Sequence, residues 1–132
     1  MSKDLVQDVQ DFFDKFDLPS RRKPKILDED TLTFRTKFMV EELQEFRDAC
    51  ANDDLVGAID GLCDLVYVAL GTAIMMGAPF NACWDEVQRA NMSKVRAINA
   101  DDPRSTRKHR FDIVKPTGWK APDLQKVIDE QI

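Results

Sequence analysis

The chain has 132 residues, of which 43% are hydrophobic and 33% are charged, and its net charge is −5. This composition excludes wholesale disorder and suits a single domain with a buried core. The three cysteines are widely spaced and form no CxxC pair, which favours reduced thiols over a disulfide framework or zinc site. The single histidine, His109, excludes a Glu-x-x-His di-iron centre and a zinc-protease helix, because both need more histidine ligands.

Charge is distributed unevenly along the chain. The segment from Lys94 to Lys120 carries eight Lys or Arg and three Asp, a local balance of +5, so the remainder stands at −10. A basic segment of this kind can bind phosphates or nucleic acid. A solvated tail explains the same composition equally well, so both interpretations stay open.

Hydrophobic periodicity predicts an all-α chain, a bundle of about four helices. The first, third and fourth predicted helices are about Lys3–Phe16, Leu55–Met76 and Pro79–Val95. The second starts near Asp30 or Thr31, either of which can cap it, and runs to about Ala51. A final short helix is predicted over Leu124–Ile132. Residues from about 96 to 123 lack periodicity and contain several prolines, which predicts an extended basic tail. With no internal repeat, residues 1–132 are expected to form one domain.

The third predicted helix, Leu55–Met76, is apolar nearly all round, which is typical of a helix at the centre of a bundle. The uncharged run from Leu65 to Trp84 is 20 residues long, which raises the question of a membrane span. The Gly77-Ala78-Pro79 break leaves only about 12 helical residues, too few to cross a bilayer. We therefore expect no membrane partner. Because one subunit has few elements to cover this helix, we expect a homodimer or tetramer.

Three glutamates in the segment VEELQEFRDA lie towards the side of the second helix that carries phenylalanines. At 100° per residue from Glu41, Glu45 lies at about 40° and Glu42 at about 100°. Phe34 and Phe38 lie at about 20° and 60°. An isolated carboxylate is costly to bury, so such groups are normally paired or bind a metal.

The third helix carries two aspartates on one face, Asp60 and Asp64, in an otherwise apolar sequence. A short turn at residues 52–54 makes the second and third helices antiparallel neighbours, so all five carboxylates can face one another. With no nearby histidine or cysteine pattern, the compensating ion should be Mg²⁺ or Mn²⁺. For the three glutamates alone, the alternative to a metal site is an ordinary solvent-exposed acidic face of the helix.

The motifs FMVEELQEF, AIDGLCDLVYVALGTAIMMG and WDEVQRANMSKV together resemble the all-α nucleoside triphosphate pyrophosphohydrolases, the MazG-like group. The similarity covers about Phe34 to Val95, and the chain looks most like the single-domain, phosphoribosyl-ATP pyrophosphohydrolase-like proteins of bacteria and phages. It implies a dimer that binds Mg²⁺ through an EExxE and an ExxD motif. It also implies hydrolysis of an NTP or dNTP between the α and β phosphorus atoms. The N-terminal segment lacks a signal-peptide pattern, so we expect a cytoplasmic location, in the host if a phage encodes the chain.

Carried over by position, the resemblance implies that Glu41, Glu42 and Glu45 form the first metal motif. Asp64 matches the aspartate of the second motif, and these four residues are the predicted catalytic set. Asp60 departs from the pattern, because it is shorter than glutamate and stands four residues before Asp64 instead of three. We expect it to act through water. One carboxylate, Glu41 in our hypothesis, would take the proton of the attacking water.

Five further residues are candidate substrate contacts. Asn91 and Lys94 share one face at the end of the fourth helix and can hold a phosphate or ribose oxygen, although Lys94 can also simply complement the helix dipole. Arg35 can reach a phosphate or pair with a neighbouring glutamate. Lys115 and Trp119 can fold over a nucleotide, with Trp119 either stacking on the base or anchoring the tail.

The sequence thus predicts a Mg²⁺-dependent nucleoside triphosphate pyrophosphohydrolase. The rival from another class is a catalytically silent helical dimer that binds or senses nucleotides, which the departure at Asp60 permits. A nucleic-acid-binding adaptor that uses the basic tail ranks last, because the basic stretch lacks interleaved aromatic residues.

Overall fold

The computed structural model describes residues 3–131. Within that range the regular structure is five α-helices and one two-stranded sheet, which confirms the all-α class and adds strands that the sequence pattern did not indicate. The last predicted helical residue, Ile132, lies outside the described residues. The elements are α1 (Leu5–Lys15), α2 (Glu29–Ala51), α3 (Leu55–Met76), α4 (Phe80–Met92), β1 (Val95–Arg96), β2 (Ile113–Val114) and α5 (Leu124–Glu130).

The chain divides after Phe80 into two compact units. The first unit contains α1, α2 and α3, and the second contains α4 from Asn81 onward, both strands and α5. The single domain over residues 1–132 stays a prediction.

Aspartate side chains cap four of the helices. Asp4, Asp28, Asp54 and Asp123 each accept a hydrogen bond from the backbone N–H three residues on, which satisfies a donor that has no partner inside the helix. At α2 the cap is Asp28 and not the predicted Asp30 or Thr31. Its carboxylate accepts both the Thr31 N–H at 2.8 Å and the Thr31 hydroxyl at 3.1 Å, so the helix begins at Glu29.

The core of the first unit forms where α1 and α2 pack against α3. Its buried cluster joins Val9 and Phe13 of α1 to Leu70 and Ile74 of α3. Among the described residues, α3 is the one helix whose length and apolar composition would suit a membrane span. Core helices of bundles share both properties, and α3 also carries two carboxylates, so the expectation of a buried helix is retained.

Two glycines of α3 mark close approaches of the backbone. A Cβ at Gly61 would lie 3.1 Å from the backbone N and Cα of Phe46, so this glycine lets α2 and α3 come together. Gly77 ends α3 with a φ of 70°, and a Cβ there would lie 2.7 Å from the Lys23 carbonyl oxygen. The Lys25 N–H donates to the Met76 carbonyl at 2.9 Å, which ties the α1–α2 linker to the end of α3.

The second unit contains a folded loop where the sequence predicts an extended tail. Val95 pairs with Val114 and Arg96 with Ile113 in an antiparallel ladder, so α4 ends at Met92, before the predicted Val95. We call residues 97–112, between these strands, the hairpin loop. Its fold depends on buried polar side chains in place of helical periodicity, which is why the pattern suggested a tail.

Large apolar side chains remain exposed on the helices of the first unit. On α2, Phe34 is 56% and Val40 58% exposed, and on α3, Val56 is 79% and Ile59 54% exposed. Exposed large apolar side chains of this kind are candidates for an interface with another chain.

Candidate functional site

Three carboxylates of α2 and α3 form the candidate metal centre. One carboxylate oxygen from each of Glu42, Glu45 and Asp64 can be chosen so that the three atoms lie within 4.8 Å of one another. Three oxygen ligands at this spacing suit a hard divalent cation such as Mg²⁺ or Mn²⁺. We call this group the carboxylate cluster.

The rotation of α2 decides which glutamates join the cluster. Arg35 and Phe46, which touch α3, point to about 120° and 140° on the scale that sets Glu41 at zero. Glu42, at about 100°, lies next to this sector, and Glu45, at about 40°, lies further from it. Glu41, at zero, points furthest away.

The cluster is electrostatically crowded. Burial is the main cause that raises the pKa of the Glu42 carboxyl, and the neighbouring Glu45 carboxyl raises it further, ahead of Asp64 and Asp60. The pKa of Asp64 is raised by burial and then by Asp60 and Glu45. Among the described residues, the shielded Oε2 atom of Glu42 has no hydrogen-bond partner. A buried acceptor without a partner is costly, and a cation would supply the missing interaction.

Two of the five predicted carboxylates stand outside the cluster. Asp60 is exposed, and its charge reaches the cluster through its effect on the pKa of Glu42 and Asp64. Glu41 is exposed and lines a separate cavity of about 310 Å³ with Phe34, Lys37 and Phe38. The structure therefore brings together three carboxylates, with Asp60 nearby, and not the full set of five.

Arg35 lies in the core, where the sequence suggested a phosphate contact or a pair with a neighbouring glutamate. It is 6% exposed, and its guanidinium donates to the Thr72 hydroxyl at 3.1 Å and the Val68 carbonyl at 3.0 Å. Gly71 makes room for it, because a Cβ there would lie 2.8 Å from the guanidinium. These contacts give Arg35 a structural task in joining α2 to α3. Burial lowers its pKa.

In the second unit, Asn91 and Lys94 line a cavity of about 570 Å³. Its other wall comes from the hairpin loop and β2 and includes Arg107, His109 and Phe111. This volume falls within the usual range for small-molecule pockets. We call it the loop cavity.

The remaining two candidates, Lys115 and Trp119, lie together with Lys94. The indole N–H of Trp119 donates to the Ala90 carbonyl at 2.8 Å, which anchors the C-terminal segment to the end of α4. The ammonium groups of Lys94 and Lys115 lie 5.3 and 4.9 Å from the centre of the indole ring, which are cation–π distances. Trp119 thus holds two lysines in place.

Sequence reasoning missed four residues of the loop cavity that belong to the hairpin loop, which are Arg107, His109, Phe111 and Asp112. Arg107, His109 and Phe111 fall in the run RKHRF, which reads as one more part of a basic tail. An aromatic residue inside a basic run was the available signal. Their common position depends on the hairpin pairing, which two-residue strands do not reveal in a sequence.

Comparison with known proteins identifies one family. Residues 9–91 match the profile of the phosphoribosyl-ATP pyrophosphohydrolase family. The matched range covers more than half of the chain and includes the whole carboxylate cluster. No curated protein matches at a significant level.

Proposed function

We propose that this chain, which belongs to the phosphoribosyl-ATP pyrophosphohydrolase family of the MazG-like superfamily, hydrolyses a nucleoside or deoxynucleoside triphosphate to the monophosphate and pyrophosphate with the help of Mg²⁺. Family membership makes the chain a hydrolase of phosphoric anhydride bonds that acts on a nucleotide. The triphosphate substrate, the bond between the α and β phosphorus atoms and the choice of ion belong to the proposal.

The observation that carries the proposal is the bare Oε2 atom of Glu42 inside the carboxylate cluster. Three carboxylates within 4.8 Å repel one another, and the most shielded oxygen has no donor among the described residues. Their donor chemistry fits Mg²⁺ or Mn²⁺. A divalent ion bound there would activate water and neutralise phosphate charge.

The carboxylates have distinct proposed roles. Glu42, Glu45 and Asp64 hold the ion, and Asp60, exposed nearby, orients water through its carboxylate. The proton of the attacking water passes to a carboxylate that is not committed to the ion. Glu41 was the sequence hypothesis for this base, and its exposure outside the cluster makes Asp60 an equal candidate. The test is to compare Glu41→Gln with Asp60→Asn at saturating metal.

The assembly is proposed to be a homodimer or tetramer. Leu55, Val56 and Ile59 form an exposed apolar start to α3, with 73%, 79% and 54% of their surfaces accessible in one subunit. Burying such surface against a second copy would contribute about 25 cal/mol per Å². Sedimentation velocity over a range of concentrations tests this, and a monomer throughout would contradict it.

The rival function, a silent protein that binds or senses nucleotides, has one supporting observation. Asp60 stands outside the group of three clustered oxygens, so the second motif contributes one close ligand, Asp64. In this case nucleotides would bind without conversion.

Product analysis by ion-exchange chromatography tests the reaction. The chain is incubated with each common NTP and dNTP and with phosphoribosyl-ATP, in Mg²⁺ or in EDTA. Glu42→Gln is the test variant, and Glu130→Gln, which changes an exposed glutamate of α5, is the matched control.

Monophosphate and pyrophosphate should appear with Mg²⁺ in the unmutated chain and in Glu130→Gln only. Diphosphate with orthophosphate would overturn the proposed bond. Binding without turnover of any nucleotide would favour the silent protein.

A further inference from the structure

The loop cavity is positively charged although one carboxylate lines it. Asp112 accepts the Ser105 hydroxyl at 2.6 Å, an Arg107 N–H at 2.7 Å and the Ile113 N–H at 3.0 Å, so its oxygens are occupied. Ser105 and then Arg107 hold the pKa of Asp112 at about 2. Arg107 is exposed and has further N–H donors, and Lys94 adds a second cation. The cavity therefore offers donors to an anion.

Buried polar groups hold the hairpin loop in one shape. Asp102 is 3% exposed, and it accepts the Ile98 N–H and both the N–H and the guanidinium of Arg104. Ser105 is 2% exposed and accepts the Lys108 N–H at 3.0 Å. A loop fixed by such a network loses little conformational entropy when a ligand binds.

Backbone strain in the loop lies directly before His109. Lys108 has a φ of 53°, in the left-handed region that non-glycine residues seldom adopt, and its Nζ donates to the Asp102 carbonyl at 3.3 Å. The Nδ1 atom of His109 accepts the Phe111 N–H at 3.0 Å. This bond assigns the proton of the neutral ring to Nε2, so the ring keeps one donor for a ligand.

Phe111 is an exposed aromatic residue surrounded by cations. It is 60% exposed, and the guanidinium groups of Arg110 and Arg96 lie 4.6 and 5.4 Å from its ring centre. Aromatic rings and guanidinium planes are the surfaces on which nucleobases stack. Exposure of a phenylalanine ring to water is unfavourable, and a stacked ligand would remove that cost. Its place at a cationic cavity therefore points to a ligand that is part aromatic and part anionic.

We propose that the loop cavity binds the nucleotide, with Lys94, Arg107 and His109 contacting the phosphates and Phe111 stacking on the base. The choice of a nucleotide rests on the proposed function, and the three loop residues are additions to it. A cavity of about 570 Å³ suits a mononucleotide better than a strand of nucleic acid.

Isothermal titration calorimetry with 5′-deoxynucleoside monophosphates and the matching nucleosides, in EDTA, tests the proposal without needing catalysis. Phe111→Leu keeps an apolar side chain and removes the ring, and it should weaken both ligand sets roughly tenfold. Lys94→Met should weaken the monophosphates roughly tenfold and leave the nucleosides nearly unchanged. Arg22→Met removes an exposed cation of the first unit and should change neither.

Four results would overturn the proposal, of which the first three come from the calorimetry. The first is that the unmutated chain binds no monophosphate. The second is that Phe111→Leu and Lys94→Met bind the ligands with the same affinity as the unmutated chain. The third is that Arg22→Met loses as much affinity as these two variants. Binding of a short single-stranded oligonucleotide without binding of monophosphates would overturn it in favour of a strand.

The proposed reaction can fail separately. If triphosphates are hydrolysed and Phe111→Leu changes neither binding nor KM, the reaction stands and the loop cavity loses its role. If no nucleotide is hydrolysed while the variants show the expected binding pattern, the loop cavity stands as a nucleotide site without the reaction.

Discussion

The carboxylate cluster of the first unit and two acidic residues of the second unit are held in opposite ways. In the first unit, burial and neighbouring carboxylates raise the pKa of Glu42 and Asp64. In the second unit, Glu86 and Asp112 each accept hydrogen bonds from an arginine and from other donors, which lowers the pKa of both to about 2. The cluster therefore concentrates uncompensated negative charge, whereas hydrogen-bond donors compensate the charges of Glu86 and Asp112.

This difference separates carboxylates whose charge a cation could compensate from carboxylates that hold the chain together. A crowded group with a bare oxygen gains free energy when a cation binds, so its native state favours the bound form. A carboxylate with donors on every side has no such need, and its removal leaves the donors without partners. Substitutions in the two units should therefore affect different properties.

The largest expected effect is on catalysis. Glu42→Gln should lower kcat/KM by at least about 100-fold, since the loss of a direct ligand should exceed the cost of losing a residue that only orients one. In EDTA the same variant should have a Tm equal to or above that of the unmutated chain, because one repulsive charge is gone. Calorimetry and the product assay measure the two effects. A large fall in Tm in EDTA would show that Glu42 is structural and break the contrast.

Gly61→Ala tests whether the cluster depends on close packing of α2 and α3. The added Cβ would lie 3.1 Å from the Phe46 backbone, so the helices must separate, at a cost of about 1 to 3 kcal/mol in stability. Chemical denaturation measures the cost. Mg²⁺ should also raise the Tm less than it does in the unmutated chain, because the ligands no longer converge. Unchanged stability with unchanged Mg²⁺ stabilisation would show that the cluster tolerates a wider spacing.

Asp112→Asn should act on structure. An amide keeps the shape but loses the charge that Arg107 pairs with, and it accepts fewer donors, so the second unit should melt at a Tm several degrees lower. Both tryptophans, Trp84 and Trp119, lie in this unit, so fluorescence reports on it directly. An unchanged melting curve would show that the hairpin loop does not need the pair.

The smallest expected effect is a pH dependence that differs between the units. The folded pKa of Glu86 and of Asp112 is depressed to about 2 from 4.5 and 3.8, so the stability they contribute is present above those values and lost as the pH falls towards 2. Glu42 and Asp64 have raised values, so their repulsion is relieved by acid and sets in as the pH rises through the folded pKa. In EDTA, tryptophan fluorescence should therefore change on acidification before helical circular dichroism is lost. Simultaneous loss would contradict the contrast.

The sequence predicted the helices well where periodicity carries the information. The α3 bounds, Leu55–Met76, agree with the prediction because Asp54 caps the start and Gly77 the end. The prediction of five facing carboxylates was less accurate, because it took the side of Phe34 and Phe38 as buried. Arg35 instead is buried and donates to α3, and an arginine in a core gives no hydrophobic signal.

The structure of the hairpin loop could not be predicted from periodicity, for a different reason. Its shape follows from side chains that bond across several residues, such as Ser105 to Asp112, and such bonds have no repeating pattern. The sequence therefore showed the positive charge of this segment but did not show that it lines the loop cavity. The basic stretch was interpreted as lacking interleaved aromatic residues, yet Phe111 ends the run RKHRF.

The tie between the α1–α2 linker and the end of α3 has a consequence for proteolysis. The linker SRRKPK is a chain of trypsin sites by sequence, and an exposed loop of that composition is normally cut first. Here the Lys25 N–H is bonded to the Met76 carbonyl, and the linker backbone lies against Gly77. A protease needs a stretch of extended, detached chain, and detaching this linker breaks its hydrogen bond to the last carbonyl of α3. Cleavage should therefore follow the opening of the first unit and not precede it. The rate of cleavage in this linker then reports the opening of the unit.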